Sequence, residues 1–194
     1  MAVMVSGGGT NFQALIDAVE SGAIEDARIV LAVSSRADAF ALERAKAHGI
    51  PAFVAGRAEF PGEGERALAI AAALRGAGAE LVVLAGYMSV LPPALVREFS
   101  GRIINVHPSL IPKYCGRGFY GMRVHRAVIE AGDAESGATV HFVDEGVDTG
   151  PIIIQERVPV PDGGADALAA KVLEAEHRIL VKAVGMARPL LPQA

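Results

Sequence analysis

Asn105, His107, Pro108 and Ser109 stand together in GRIINVHPSLIPKY, residues 101–114, and of all the residues in this chain their types and spacing suit chemistry best. Arg102–Val106 reads as a short β-branched strand that the proline stops. Side chains alternate along a strand, so Asn105 and His107 project from one face. An amide donor and a titratable imidazole then share the C-terminal end of a strand, the edge where open α/β sheets bind ligands. Such a pair suits direct transfer: a substrate amine attacks a carbonyl while Asn105 and His107 stabilise the oxyanion. Each oxyanion donor of this kind typically lowers the barrier by about 2.7–4 kcal/mol. A downstream acid is available in Asp148, and a carboxylate near His107 would raise its pKa and favour the donating imidazolium.

Other chemistries are less well supported. Ser109 lies outside any strained G-x-S-x-G elbow. His107, His141 and Asp148 could bind a metal, but their spacing matches no ligand motif, and no metal is expected. Cys115 sits near Lys113 and Arg117, which could lower its pKa, yet nothing else resembles a thiol-based dyad.

The elements that must position these groups can be read in order. Met1–Val5 looks like a strand, SGGGTN (6–11) a glycine turn, and Phe12–Glu20 an amphipathic helix. Exposed amides at a helix N-terminus attract anions, so Gly9, Thr10 and Asn11 are phosphate candidates; the plainer reading makes Thr10 or Asn11 a helix cap. Phe12 at the third glycine place weakens a dinucleotide reading. Strands at Arg28–Val33, Pro51–Val54 and Leu81–Ala85 alternate with helices at Ala37–His48 and Glu65–Leu74, which argues for parallel β-α-β units. Ser34-Ser35-Arg36 reads as a polar turn, with an NADP 2′-phosphate pocket as the alternative. Gly86–Leu91 follows the central strand, where Met88, Ser89, Val90 and Leu91 could wall a planar pocket. Residues 112–121 form a glycine-rich loop, possible lid material, and His125 on the next helix reads as solvated. Gly137–Val143 and Ile152–Val158 flank an acidic turn, implying an antiparallel pair. The last helix, Asp166–Ala183, carries Glu174, Glu176, His177 and Arg178 on what reads as a largely solvated face. The expected fold is an open, mostly parallel Rossmann-like α/β sheet with helices on both faces and an antiparallel pair near the C-terminal end.

Composition agrees with one ordinary globular domain over residues 1–194. The chain is 52% hydrophobic and 21% charged, with a net charge of -4. Scattered basic residues give no footprint for nucleic acid, and no apolar run approaches the roughly 18 residues of a membrane span. The N-terminus lacks signal-peptide features, and the single cysteine suits a reducing compartment. A cytoplasmic protein without nucleic-acid or membrane partners is expected, as a monomer or homodimer.

SGGGTN, LAGYM, INVHPSLIPKY and HFVDEGVDTGP, in this order and spacing, closely resemble the glycinamide ribonucleotide formyltransferase family over almost the whole chain. The resemblance implies formyl transfer from 10-formyltetrahydrofolate, as co-substrate, to the amine of glycinamide ribonucleotide in purine biosynthesis. Asn105, His107 and Asp148 would be the catalytic trio, with Asp148 tuning and orienting His107. Gly9, Thr10 and Asn11 would hold the ribonucleotide phosphate, and Glu176 would contact the same substrate. Met88, Ser89, Val90 and Leu91 would border the folate pteridine, with Asn105 and Asp144 on the same side, and His141 would flank the site. Ser89 and Glu63 stand where the family often has arginine, and Leu173 where a basic or amide residue is common. The first strand looks short by about two residues against the family pattern.

Hydrolysis of 10-formyltetrahydrofolate is the nearest alternative, although such enzymes usually carry an extra N-terminal domain. Methionyl-tRNA formyltransferases carry a C-terminal RNA-binding domain, which is not seen here. A non-catalytic nucleotide-binding or NADP-binding module would rest on SGGGTN and Ser34-Ser35-Arg36 alone, leaving Asn105, His107 and Asp148 unexplained.

Overall fold

The computed structural model describes residues 1–187, so residues 188–194 of the expected domain lie outside the described residues. Seven strands, β1 (Ala2–Val5), β2 (Leu31–Ser34), β3 (Ala52–Val54), β4 (Val82–Leu84), β5 (Ile103–His107), β6 (Glu135–Phe142) and β7 (Ile152–Pro159), form one sheet in the order β3-β2-β1-β4-β5-β6-β7. The pairings from β3 to β5 are parallel, whereas β6 and β7 add on antiparallel. The helices are α1 (Thr10–Glu20), α2 (Ala41–Ala47), α3 (Glu63–Gly76), α4 (Pro93–Glu98), α5 (Met122–Ala131) and α6 (Gly164–Ala187). This is the Rossmann-like arrangement expected from the sequence.

Both faces of the parallel part are covered, which is why its strands are apolar throughout. In β1, Val3 and Val5 join a core shared with α1 and α6, while Ala2 and Met4 join a second core with α3 and α4. The alternation of strand side chains thus separates the two layers. Along α6, Leu168, Val172, Ala175, Glu176, Ile179, Leu180, Ala183, Val184 and Ala187 are all buried. Glu176 occupies a position on an otherwise apolar stripe, four residues from both Val172 and Leu180. The solvated-face reading of this helix therefore fails at Glu176.

Three local details differ from expectation. The second strand begins later, at Leu31, and the following helix is shortened to Ala41–Ala47. Between them the Ser34 hydroxyl donates to the Arg36 carbonyl (2.7 Å) and accepts the Arg36 N–H (3.2 Å), fixing a polar turn. A short helix, α4, was not expected; Pro93 at its first position was the available signal. Among the described residues, no helix is long and apolar enough to cross a membrane.

Candidate active site

The C-terminal end of β5 lies between β4, its parallel partner, and β6, its antiparallel one. Asn105 is in register with His141 and His107 with Thr139, so β6 delivers a second imidazole to the strand-end pair. A register irregularity between Val140 and His141 interrupts the β6–β7 ladder at this point. The turn after β6 brings Asp148 back over the same edge. Asp144 braces that turn: its Oδ1 accepts the Gly146 N–H (3.0 Å) and the Thr149 hydroxyl (2.6 Å). The Asp144 side chain is thus engaged in holding the turn.

Asp148 stands at the centre of the assembled site. Its Oδ2 is 3.6 Å from His107 Nδ1, and its Oδ1 is 3.6 Å from His141 Nε2 and 3.4 Å from Asn105 Nδ2. The Gly116 N–H donates to Oδ2 at 2.9 Å. The residue has a left-handed backbone (φ 58), uncommon outside glycine but tolerated by aspartate.

The partners fix the tautomers, because a carbonyl can only accept. His107 Nε2 faces the Tyr114 carbonyl at 2.8 Å and must carry its proton there, leaving Nδ1 towards Asp148. His141 Nδ1 faces the Phe142 carbonyl at 2.7 Å and carries a proton there, while its Nε2 lies 3.2 Å from Asn105 Nδ2. The Asp148 carboxylate, which can only accept, orients the Asn105 amide with its nitrogen inward.

Burial pushes the His107 pKa below the ordinary histidine value; the Tyr114 carbonyl and the Asp148 charge pull upward, and His141 adds to the lowering. Asp148 acts in the expected direction, but desolvation outweighs it, so the resting ring is neutral rather than the imidazolium expected from the sequence. For Asp148, burial pushes upward, but His141, His107 and the Gly116 N–H prevail and hold the carboxyl below its usual range. The site rests as a neutral imidazole beside a carboxylate.

His125 corrects another expectation. It is 5% exposed rather than solvated, and its Nδ1 is buried without a partner. Burial and the neighbouring His107 lower its pKa. The spacing to Val128, three residues on, was the available signal for an inward face. Ser109 is fully buried, its hydroxyl donating to the Lys113 carbonyl at 2.6 Å, so it pins the loop. Cys115 is shifted up by burial and by Asp148, against the lowering expected from its basic neighbours; Lys113 pairs with Asp133 instead, at 3.0 Å.

Across the cleft, Gly9 caps α1 at φ 71, with no side-chain cap from Thr10 or Asn11. A Cβ at Gly9 would lie 2.7 Å from the Ala41 Cβ, so space and conformation both require glycine there. Thr10 is exposed, whereas Asn11 is buried and donates through Nδ2 to Glu176 Oε2 at 2.5 Å. Glu176 is 9% exposed, and burial raises its pKa to about 7 despite the opposing Asn11 hydrogen bond.

Met88, Ser89 and Val90 are exposed on the loop after β4, while Leu91 is buried in the second core and offers the cleft little beyond its backbone. Ser6, which the sequence reading passed over, ties two edges of the cleft together. Its hydroxyl accepts the Met88 N–H at 2.8 Å and lies 2.6 Å from the Ser35 hydroxyl. Arg36, the candidate for a 2′-phosphate, is instead clasped by both oxygens of Asp38 (2.8 and 2.6 Å). His107, His141 and Asp148 do converge, but the inward N–H of Asn105 points at the same space, a donor where a cation would need acceptors. Among the described residues, no group of three or more His, Cys, Asp or Glu is arranged to hold a metal ion.

An open α/β sheet with an amide, two imidazoles and a carboxylate gathered at its strand ends has the layout of an α/β enzyme, and the relatives it resembles are group-transfer enzymes. The sequence pattern of the formyl transferase family matches residues 1–184. The chain is 44% identical over 180 residues to a phosphoribosylglycinamide formyltransferase of Haemophilus influenzae, covering 92% of this chain and 82% of that protein. It is 43% identical over 188 residues to the trifunctional purine biosynthetic protein adenosine-3 of Drosophila melanogaster, covering 96% of this chain but only 14% of that longer protein. Among solved structures, it superposes on glycinamide ribonucleotide transformylase 1 from Symbiobacterium toebii with a TM-score of 0.90 and 39% identity, covering 100% of this chain and 89% of the other. The chain belongs to the formyl transferase family.

Proposed function

We propose that this protein transfers the formyl group of 10-formyltetrahydrofolate to the amine of glycinamide ribonucleotide, a step of purine biosynthesis. The convergence of Asn105, His107 and Asp148 on one sheet edge carries this reading, and relatives named for that activity support it. In the proposed reaction the amine attacks the formyl carbon, and the carbonyl oxygen becomes an oxyanion. Asn105 Nδ2 donates to that oxyanion, and its 3.4 Å contact with Asp148 is weak enough to be exchanged for it. His107, resting neutral, takes the amine proton at Nδ1 and passes it to the departing folate nitrogen. Asp148, 3.6 Å from that nitrogen, stabilises the transient imidazolium.

Gly9, Thr10 and Asn11 would hold the substrate phosphate at the α1 N-terminus, with Glu176 behind them. Met88, Ser89 and Val90, with the backbone of Leu91, would border the pteridine, with Asp144 holding the adjoining turn. The proposed enzyme acts in the cytoplasm, as a monomer or homodimer, on small molecules without a nucleic-acid or membrane partner, and residues 1–194 act as one domain.

Incubating the purified protein with 10-formyltetrahydrofolate, with and without glycinamide ribonucleotide, tests the reading. Tetrahydrofolate is expected only when the amine is present. Equal turnover without it would make the protein a hydrolase, and no turnover in either case would sink the enzyme reading.

A further inference from the structure

Glu176 is nine-tenths buried, sits on an apolar stripe, and has one hydrogen-bond partner, the neutral amide of Asn11 at 2.5 Å. Asn11 lies in the first turn of α1, directly after Gly9 and Thr10, and its own Oδ1 is buried without a partner. Among the described residues no cation balances a charge on this carboxyl, and an unpaired buried carboxylate is strongly disfavoured.

We propose that Glu176 is a proton-linked determinant of substrate affinity: it is uncharged when an anionic phosphate occupies the α1 N-terminus, and its ionisation expels that anion. The inference rests on the phosphate reading of Gly9–Asn11. Held neutral, the carboxyl presents no charge to the anion, and its O–H is a donor beside an amide whose oxygen is unsatisfied. Once ionised, it places a negative charge one hydrogen bond from the turn that receives the phosphate.

The surrounding groups leave Glu176 isolated in charge. From α1, Asp17 acts on His177. From α5, His125 is held towards its neutral form. From β7, Glu156 is bound by Arg178 of α6 itself at 2.6 Å. β6 contributes Ala138 and Val140 to the core shared with α6, and β5 ends in His107, whose charge is governed by burial, the Tyr114 carbonyl and Asp148. Burial and Asn11 alone govern Glu176, whose protonation midpoint near 7 agrees with the geometry. The second ionisation of a phosphate monoester, near pH 6, is about nine-tenths complete at pH 7, so changes above pH 7 do not arise from it.

The KM for glycinamide ribonucleotide, kcat, and the protons taken up on binding sulfate, a phosphate-like anion that does not itself titrate in this range, should be measured from pH 6 to 9 in wild type and Glu176→Gln. Uptake is read by calorimetry in two buffers of different ionisation enthalpy. The ratio of the wild-type KM to that of Glu176→Gln, in which titration of the substrate's own phosphate and amine cancels, is expected to rise up to tenfold per unit above about pH 7, without a matching fall in the kcat ratio. Uptake should approach one proton at pH 8. Glu176→Gln should show no uptake. A KM ratio level with pH and no proton uptake by wild type overturn the linkage, and the wild-type calorimetry decides this even if the variant folds poorly. If an analogue lacking the phosphate binds as tightly as the substrate, the phosphate reading fails instead.

Discussion

The Tyr114 carbonyl accepts the His107 Nε2–H at 2.8 Å, which leaves Nδ1 as the basic nitrogen facing Asp148. Two residues further along the same loop, Gly116 donates to Asp148, so one short segment holds both members of the pair. Nitrogen NMR of the resting enzyme at pH 7.5 should show His107 as the Nε2–H tautomer, titrating below the ordinary histidine value. A resting Nδ1–H tautomer would reverse the assigned proton path.

Asp148→Asn should remove the charge that steadies the imidazolium while keeping a side chain that tolerates the left-handed backbone. The expected loss in kcat/KM is on the order of 10²–10⁴. Because Asp148 pulls the His107 pKa upward, the histidine should titrate lower still in the variant. The melting temperature should move by only a few degrees. Wild-type turnover with an unshifted titration would remove Asp148 from the mechanism.

His125→Leu should leave the melting temperature at pH 7 unchanged or raised, because it replaces a buried, unpartnered ring nitrogen with apolar bulk. The pH dependence gives a second readout. With the folded pKa depressed, the unfolded chain binds the proton first as pH falls below about 6.5, so this residue lowers stability in acid. The variant should therefore lose less stability than wild type between pH 7 and 5. Equal losses in urea titrations at the two pH values would refute the assignment.

Glu176 runs the other way. Its folded pKa is raised from 4.5 to about 7, so the native state binds the proton more tightly and stability falls as pH rises across that window. Glu176→Gln, which cannot ionise, should gain on wild type by up to about 3 kcal/mol between pH 4.5 and pH 8. A pH-independent difference between the two proteins would show that Glu176 ionises normally.

Much of the architecture was legible because its signals are local. Leu81–Ala85 is apolar throughout, as a strand covered on both faces must be, and Pro108 marks where β5 has to stop. Asn105 and His107 were readable as a pair from strand alternation alone. The remainder depends on chain returns that no local pattern encodes. Nothing near Asp148 indicates that a turn braced by Asp144 will bring it within 3.6 Å of two imidazoles. The choice between imidazole and imidazolium was missed for a related reason: the sequence shows the carboxylate but not the depth of burial, and burial decides. The Asn11–Glu176 hydrogen bond spans almost the whole chain, yet the stripe of Val172, Glu176 and Leu180 was readable and points to an inward carboxyl.

The left-handed backbones of Tyr114 and Asp148 also bear on how this protein can be engineered. Relieving a left-handed non-glycine residue with glycine gains on the order of 1 kcal/mol, so a library screened for heat tolerance alone would favour glycine at Asp148, whereas at Tyr114 the ring's contact with Phe119 and its hydroxyl bond to Asp133 oppose the exchange. At Asp148 that gain would delete the central carboxylate, and any exchange at Tyr114 would loosen the loop whose carbonyl holds His107. Thermostable variants of this scaffold should therefore be sought with an activity readout in the same round, or with these two positions fixed.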